Sequence, residues 1–477
     1  MTSAAVPAAS YRWLVLATMI LGLFPGVLDA AVVNVALPVY VAKFGANLNT
    51  AEWIALVFRL VTAIILLPAG RAADLLGRRK VYLAGLALFT VASALCAIAP
   101  NVGLLIAARV LQALGTTGML ATYSAIIVAV FPESQRGQAL GIGTTVMAVA
   151  TAISPTTGAL LVDLWGPASV FVINLPIGLI GLVAALAVLK ERTVSITPEP
   201  GARFDWAGAI LSSAAILTLL LALEERVGPY AIAPIRPILL VVGVALLGLF
   251  VAVERRLRHP MLDIGLFRVP SFTISASLIG IGSLSLGLVT YLIPLFIQLG
   301  LGRSIVQAGF DMLPLAVVLM VAGPLFGTLS DHWGARGLTA AGMALMTGSL
   351  ALLAGLSLSA PLMAVVVPLT IFGLGTGLYQ APNNSVAFGS APKEKHGVVG
   401  GVRSMLISLG IAVGVALGNT IVDGGLQAFG GSAVLTSAPL SEASLNAYLA
   451  AQAQALWVTA AFTACGAVLA FLQPRRV

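Results

Sequence analysis

Apolar runs long enough to cross a bilayer recur along the whole of this 477-residue sequence. A membrane-spanning helix needs about 20 consecutive apolar residues, whereas a barrel strand needs only ~10, in alternation. The runs here are continuous, so they specify helices. Composition agrees: 9% of residues are charged and 59% hydrophobic, where a soluble domain carries roughly 25% charged residues. Fourteen spans are predicted, at 13–41, 50–72, 80–99, 102–131, 138–163, 168–189, 206–226, 235–254, 271–299, 307–330, 337–358, 362–389, 397–421 and 453–472. The chain reads as an all-α integral membrane protein. The first span is expected to stay in the mature protein, because it is longer than the ~7–15 apolar residues of a secretory signal and contains Asp29.

The net charge of +8 raises the question of an anionic partner such as nucleic acid. Distribution answers it. With the N-terminus taken as cytoplasmic, eighteen of the 25 Lys and Arg fall on that side, four (Lys43, Arg226, Arg236, Arg303) on the other, and Arg59, Arg109 and Arg403 within spans. Such asymmetry places both termini in the cytoplasm, and nucleic acid is not needed to explain the basic balance. Cys96 and Cys465 lie in apolar segments and read as two buried thiols, not a disulfide. His259, His332 and His396 sit in short polar connections, so no metal site is expected. No phosphate-cradling loop is present, which disfavours an ATP-driven pump, and no cofactor is implied.

An internal repeat organises the spans. "GRAADLLGRRK" (70–80) follows the second, and "GTLSDHWGARG" (327–337) follows the tenth. Gly70, Asp74, Gly77 and Arg79 map onto Gly327, Asp331, Gly334 and Arg336 at a constant offset of 257. A weaker echo pairs "FPESQRGQALG" (131–141) with "APKEKHGVVGG" (391–401). The organisation is therefore 6+2+6: a six-helix bundle over 1–189, a linker with two extra spans over 190–270, and a second six-helix bundle over 271–477. Parallel repeats of this kind are built to expose a central site alternately to either side by rocking of the halves. In the 70–80 loop, the glycines permit close helix approach, Asp74 can accept from backbone or arginine, and Arg78 and Arg79 anchor the loop at the membrane surface.

These segments carry a resemblance. "GRAADLLGRRK" is similar to the signature between the second and third helices of the major facilitator superfamily. "VLDAAVVNVALP" (27–38) resembles the first-helix motif of its fourteen-helix drug:proton antiporter family. "RVLQALGTTGM" (109–119) is similar to the fourth-helix motif of that family, and "LDIGLFRVPSF" (262–272) and "APNNSVAFGSAP" (381–392) resemble later segments. The likeness covers essentially the whole chain. It implies a proton-coupled exporter of amphiphilic small molecules in a bacterial inner membrane, functional as a monomer, with Asp29 carrying the proton and Arg109 assisting. The resemblance implies a transporter and not an enzyme. Its partners would be substrate, protons and lipid.

Asp29 needs compensation, since a carboxylate at mid-bilayer costs at least ~2.5–3.5 kcal/mol. Gly22, Gly26 and Asp29 share one helical face, so the carboxylate points toward other helices. Arg59 on the second span and Arg109 on the fourth are at compatible depths, and either or both can pair with it. In the fourth span Arg109, Gln112, Thr116 and Tyr123 form a polar stripe expected to line a cavity. Helices nine and twelve, their counterparts in the second half, offer Tyr291 and Gln298, and Tyr379 and Asn383. Pro155 and Gly158 match the antiporter motif on helix five, where Ser154 stands in place of a glycine, and Pro155 is expected to bend the helix. Arg403 has no evident carboxylate partner and is expected to snorkel to headgroups or meet an anionic substrate. Two rival readings stand beside the drug exporter: an exporter of anionic or zwitterionic solutes or lipids that uses the intramembrane arginines, and a non-transporting receptor on the same fold.

Overall fold

The computed structural model describes residues 8–45, 48–194, 204–223, 226–227, 230–231, 233–257, 260–262, 264–392, 396–428 and 442–473. It divides into two compact units, Met1–Val269 with Phe388–Met405, and Pro270–Ala387 with Leu406–Val477.

In the first unit the helices are α1 (Ala9–Phe44), α2 (Leu48–Leu76), α3 (Arg78–Ala97), α4 (Val102–Val130), α5 (Glu133–Trp165), the short α6 (Ser169–Val172), α7 (Asn174–Val188) and a single turn, α8 (Glu191–Val194). Then come α9 (Trp206–Leu223), a two-residue ladder β1 (Arg226–Val227) and β2 (Tyr230–Ala231), and α10 (Arg236–Glu254). The second unit contains α11 (Pro270–Leu299), α12 (Ile305–Asp311), α13 (Leu313–Trp333), α14 (Ala335–Ala354), most of α15 (Met363–Gly389), the later turns of α16 (His396–Ala428) and α17 (Glu442–Ala470).

Among the described residues, twelve helices are long and apolar enough to cross a membrane. Each of the fourteen expected spans overlaps a helix, while the count of long apolar helices is twelve. The span at 138–163 lies on α5, a helix of 33 residues. The span at 206–226 begins on α9, a helix of 18 residues, and its last residue, Arg226, lies in β1. By contrast α1 runs to 36 residues, well beyond what a ~30 Å hydrocarbon layer requires at ~1.5 Å per residue.

Both units reuse the same helix pairings. In the first, α3 crosses α4 at Gly85 and Gly115: a Cβ on Gly85 would lie 2.7 Å from the Gly115 carbonyl oxygen. In the second, α14 crosses α15 at Gly342 and Gly375, where a Cβ on Gly342 would lie 2.6 Å from the Gly375 carbonyl oxygen. Gly85 and Gly342 are 257 residues apart, the offset of the loop repeat. Without side chains, backbone meets backbone, which is how helices associate where no hydrophobic force draws them together. Likewise α1 packs on α5 at Gly158, and α11 packs on α16 at Gly287 and Gly414.

The α9–α10 pair packs on α2, with the Ser213 hydroxyl donating to the Ile64 carbonyl at 3.0 Å. At its base Asp205 and Glu254 are both buried. Each satisfies one oxygen with a backbone N–H: Gly208 to Asp205 Oδ1 at 2.8 Å and Leu262 to Glu254 Oε2 at 3.0 Å. The other oxygens, Asp205 Oδ2 and Glu254 Oε1, both crowd Gly208 and receive no donor.

Cys465 departs from expectation: Cys96 is buried, whereas Cys465 is exposed on α17. An apolar helix face turned to lipid reads in sequence just like one turned to the core.

Candidate functional site

The centre of the first unit is polar. Asp29 is 1% exposed and Arg109 fully buried. Arg109 Nη1 donates to Asp29 Oδ2 in an ion pair with both side chains enclosed. The other carboxylate oxygen, Oδ1, accepts from Asn174 Nδ2 at 3.0 Å and from Gln112 Nε2 at 3.3 Å. Arg109 is held further by Nε donating to the Ile54 carbonyl at 2.9 Å, by Nη1 donating to Gln112 Oε1 at 2.6 Å, and by the Phe58 ring, 4.2 Å from its guanidinium carbon. Gln112 Nε2 also donates to Ser93 Oγ at 2.9 Å, and Cys96 Sγ lies 3.8 Å from Gln112 Oε1.

Local structure explains the convergence. Arg109 and Gln112 are three residues apart on α4 and so share one face. Gly26, one turn before Asp29, lets α1 come down on Thr116 of α4: a Cβ there would be 3.2 Å from the Thr116 side chain. Asn174 opens α7 immediately after the turn at Ile173 that ends α6, and that break aims its amide inward. A buried ion pair is costly unless further polar groups meet it, and here five helices supply such groups, although Arg109 Nη2 is buried with no hydrogen-bond partner.

Of the two arginines expected near Asp29, Arg109 forms the ion pair. Arg59 is exposed on α2. The α4 stripe is also buried more deeply than a cavity wall would be: Gln112 is 0% exposed, Thr116 2% and Tyr123 4%. Gln112 belongs to the Asp29 network, and Tyr123 fills the space left by the absent side chain of Gly143 on α5. In the second unit Tyr291 donates to Asn419 Oδ1 at 2.8 Å, and Gln298 Nε2 to the carbonyl of Pro294 at 3.2 Å. Tyr379 is buried with its hydroxyl over Gly282. Asn383 is enclosed, donating to the Ser275 carbonyl at 3.0 Å and accepting from Gln473 Nε2 at 2.8 Å. Tyr291 and Gln298 are partly exposed, whereas Asn383 is held between Gln473 and α11.

Helix α5 continues through Pro155, whose side chain is outside the described residues. A Cβ on Gly158 would be 3.1 Å from Val32 Cγ1, so this glycine sets the α1–α5 approach. Arg403 is 7% exposed and reaches Ser124 Oγ at 3.5 Å. It does not snorkel outward.

In the α2–α3 connection Asp74 takes an arginine partner, while Arg78 is buried against α4 instead of anchoring the loop at the membrane surface. Asp74 pairs with Arg78 at 3.2 Å. Arg78 is 1% exposed and donates to the Ala125 carbonyl at 3.2 Å, joining the loop to α4. Arg79 donates to the carbonyls of Leu189 and Leu186, closing the end of α7. Gly70 on α2 approaches Gly401 at the start of α16. Gly77 turns the chain with φ 97, and Gly334 repeats this at φ 83 between α13 and α14. Arg336, the counterpart of Arg79, stacks on Phe471 at the end of α17, 5.8 Å from the ring centre. The Asp331 side chain is outside the described residues.

Sequence reasoning missed Asn174, Ser93 and Phe58. Asn174 left one trace, an amide in an otherwise apolar span, two residues before Pro176.

A many-helix bundle with two repeated units and an enclosed charge centre defines a membrane transporter. The chain matches the model of the Major Facilitator Superfamily over residues 19–415, and it belongs to that superfamily. It is 34% identical over 412 residues to the multidrug resistance protein Stp of Mycobacterium tuberculosis (strain CDC 1551 / Oshkosh), covering 86% of this chain and 75% of that one. It is 28% identical over 459 residues to the riboflavin transporter RibZ of Clostridioides difficile (strain 630), covering 96% of each. The crystal structure of the human organic anion transporter MFSD10 (TETRAN) has the same fold, with a TM-score of 0.64 at 15% identity over 96% of this chain and 99% of that one.

Proposed function

We propose that the chain is a proton-coupled exporter of amphiphilic small molecules, with Asp29 taking up and releasing the proton as two halves rock about a central site. One observation carries this reading. Arg109 keeps partners that do not depend on the charge of Asp29, namely the Ile54 carbonyl, Gln112 Oε1 and the Phe58 ring. Guanidinium is always charged, so a buried arginine with only a carboxylate to neutralise it would forbid protonation. Here the guanidinium keeps two hydrogen-bond acceptors and an aromatic face when the carboxylate becomes neutral. An ionisable group inside a membrane is by default functional, and relatives named for multidrug resistance support the substrate class. The charge asymmetry of the loops supports a bacterial inner-membrane location with both termini cytoplasmic.

A second reading, transport of polar or anionic aromatic solutes, is favoured by the full-length likeness to a riboflavin transporter. Proteoliposomes with an imposed proton gradient separate the two, using ethidium, riboflavin and carboxyfluorescein as probes. Gradient-driven ethidium accumulation, abolished by Asp29→Asn, supports the first reading; riboflavin or carboxyfluorescein alone supports the second. Undiminished gradient-driven transport by Asp29→Asn would sink the coupling role.

A further inference from the structure

Three side chains touch the Asp29 carboxylate, and they differ in what they offer once it takes a proton. Arg109 has only donors. Gln112 is committed at both ends: Oε1 accepts from Arg109, and Nε2 donates to Ser93 as well as to Asp29. Asn174 is committed at one end. Its Nδ2 donates to Asp29 Oδ1 at 3.0 Å, while its Oδ1 is buried with no hydrogen-bond partner. A buried acceptor without a donor is unusual. This one is carried by the same amide that already touches the carboxylate. A neutral carboxyl gains an O–H that needs an acceptor, and of the three neighbours only Asn174 has one uncommitted.

We propose that Asn174 reads the protonation state of Asp29: its amide donates to the ionised carboxylate and, turned over about χ2, accepts the O–H of the neutral acid through Oδ1. The terminal torsion of an asparagine is broad and nearly two-fold, so the turn needs no new rotamer of the rest of the side chain. The proton moves only between Asp29 and its donor or acceptor in the transport cycle; Asn174 exchanges none. Asn174 is a positioning residue, and its role rests on the reading of Asp29 as the proton carrier. Its place gives the switch a mechanical outlet. It is the first residue of α7, directly after the turn that ends α6, and α7 packs on α1 and α3. Protonation of α1 is thereby registered on a helix that carries no charge of its own.

Other titratable or charged groups around the pair do not duplicate this. Arg109 on α4 faces it, Cys96 on α3 faces Gln112, and Tyr40 on α1 donates to the Pro167 carbonyl at 2.7 Å. Arg59 on α2 and Asp163 on α5 are exposed.

The test is pH-difference infrared spectroscopy of the purified protein in lipid, comparing wild type, Asp29→Asn, Asn174→Val and Asn174→Thr. Val and Thr have the same shape, but only Thr both donates and accepts. The neutral-carboxyl C=O band of Asp29 is identified by its loss in Asp29→Asn. It should shift to the higher frequency of a free acid in Asn174→Val and return toward the wild-type position in Asn174→Thr. An unshifted band in Asn174→Val overturns the proposal. Absence of any band lost in Asp29→Asn would instead show that Asp29 does not titrate, which fails the underlying reading. Should Asn174→Val not fold, wild type labelled with 13C-asparagine replaces it. A pH-dependent amide band that disappears in Asp29→Asn is expected, and its absence overturns the proposal.

Discussion

Asp29 and Arg109, 80 positions apart in sequence, form an ion pair with both side chains fully enclosed. Removing one member of such a pair leaves the other charged and without a counter-ion, at a cost of about 3–5 kcal/mol. Arg109→Leu should therefore destabilise the protein by that order. Asp29→Asn combined with Arg109→Leu should be milder than Arg109→Leu alone, because it strands no charge. Thermal unfolding in detergent reads out the cycle. Arg59→Leu, in contrast, should combine with Asp29→Asn additively, within about 0.5 kcal/mol, since Arg59 is exposed. A coupling as large as that of Arg109 would contradict the geometry.

Asp74→Asn tests the α2–α3 loop. It removes the charge that neutralises Arg78, which is 1% exposed and tied to α4. Turnover should fall several-fold with substrate affinity nearly unchanged, measured as separate kcat and binding constants in proteoliposomes. Lost affinity at unchanged turnover would move this loop into the substrate site.

Gly77 and Gly334 have φ 97 and 83, a region that side chains enter at a cost of about 1–3 kcal/mol. Gly77→Ala and Gly334→Ala should each lower thermal stability by that order, and the double variant by the sum. A neutral result at either position would mean that its turn relaxes.

Asp205→Asn should leave stability unchanged or raise it by about 1 kcal/mol. The amide would keep accepting from the Gly208 N–H through Oδ1, and its Nδ2 would donate to Glu254 Oε1, which now lacks a donor. A clear loss in melting temperature at neutral pH would show that the amide does not make this hydrogen bond.

Much of this architecture is legible in sequence because bilayers demand long apolar runs, and the 257-residue offset reveals the two repeated halves. Asp29 stood out for the same reason, as a carboxylate in such a run. Its partner did not. Helical phase tells which residues share a face but not which helices meet, so Arg59 and Arg109 were equivalent until α1, α2 and α4 were placed. Asn174 was harder still, since a single uncharged amide breaks no rule of hydropathy. The Gly85 and Gly342 crossings escaped because glycine is common within spans, and only the 2.7 and 2.6 Å approaches to backbone distinguish these two. The polar residues proposed for a cavity wall showed the converse limit. Asn383 carries the same sequence signal whether it faces solvent or, as here, Gln473.

The permanence of the Arg109 charge has an electrical consequence. With a guanidinium fixed beside a titratable carboxyl, the centre carries a net charge of zero or plus one, and never minus one. On the proposed mechanism, the protonated half of the cycle then moves a positive centre relative to the membrane field, worth ~2.3 kcal/mol per charge per 100 mV. Exchange of one proton for a neutral solute would be electrogenic, and exchange for a monocation silent. Voltage, applied across a vesicle with no pH difference, should drive one class of substrate and leave the other unmoved.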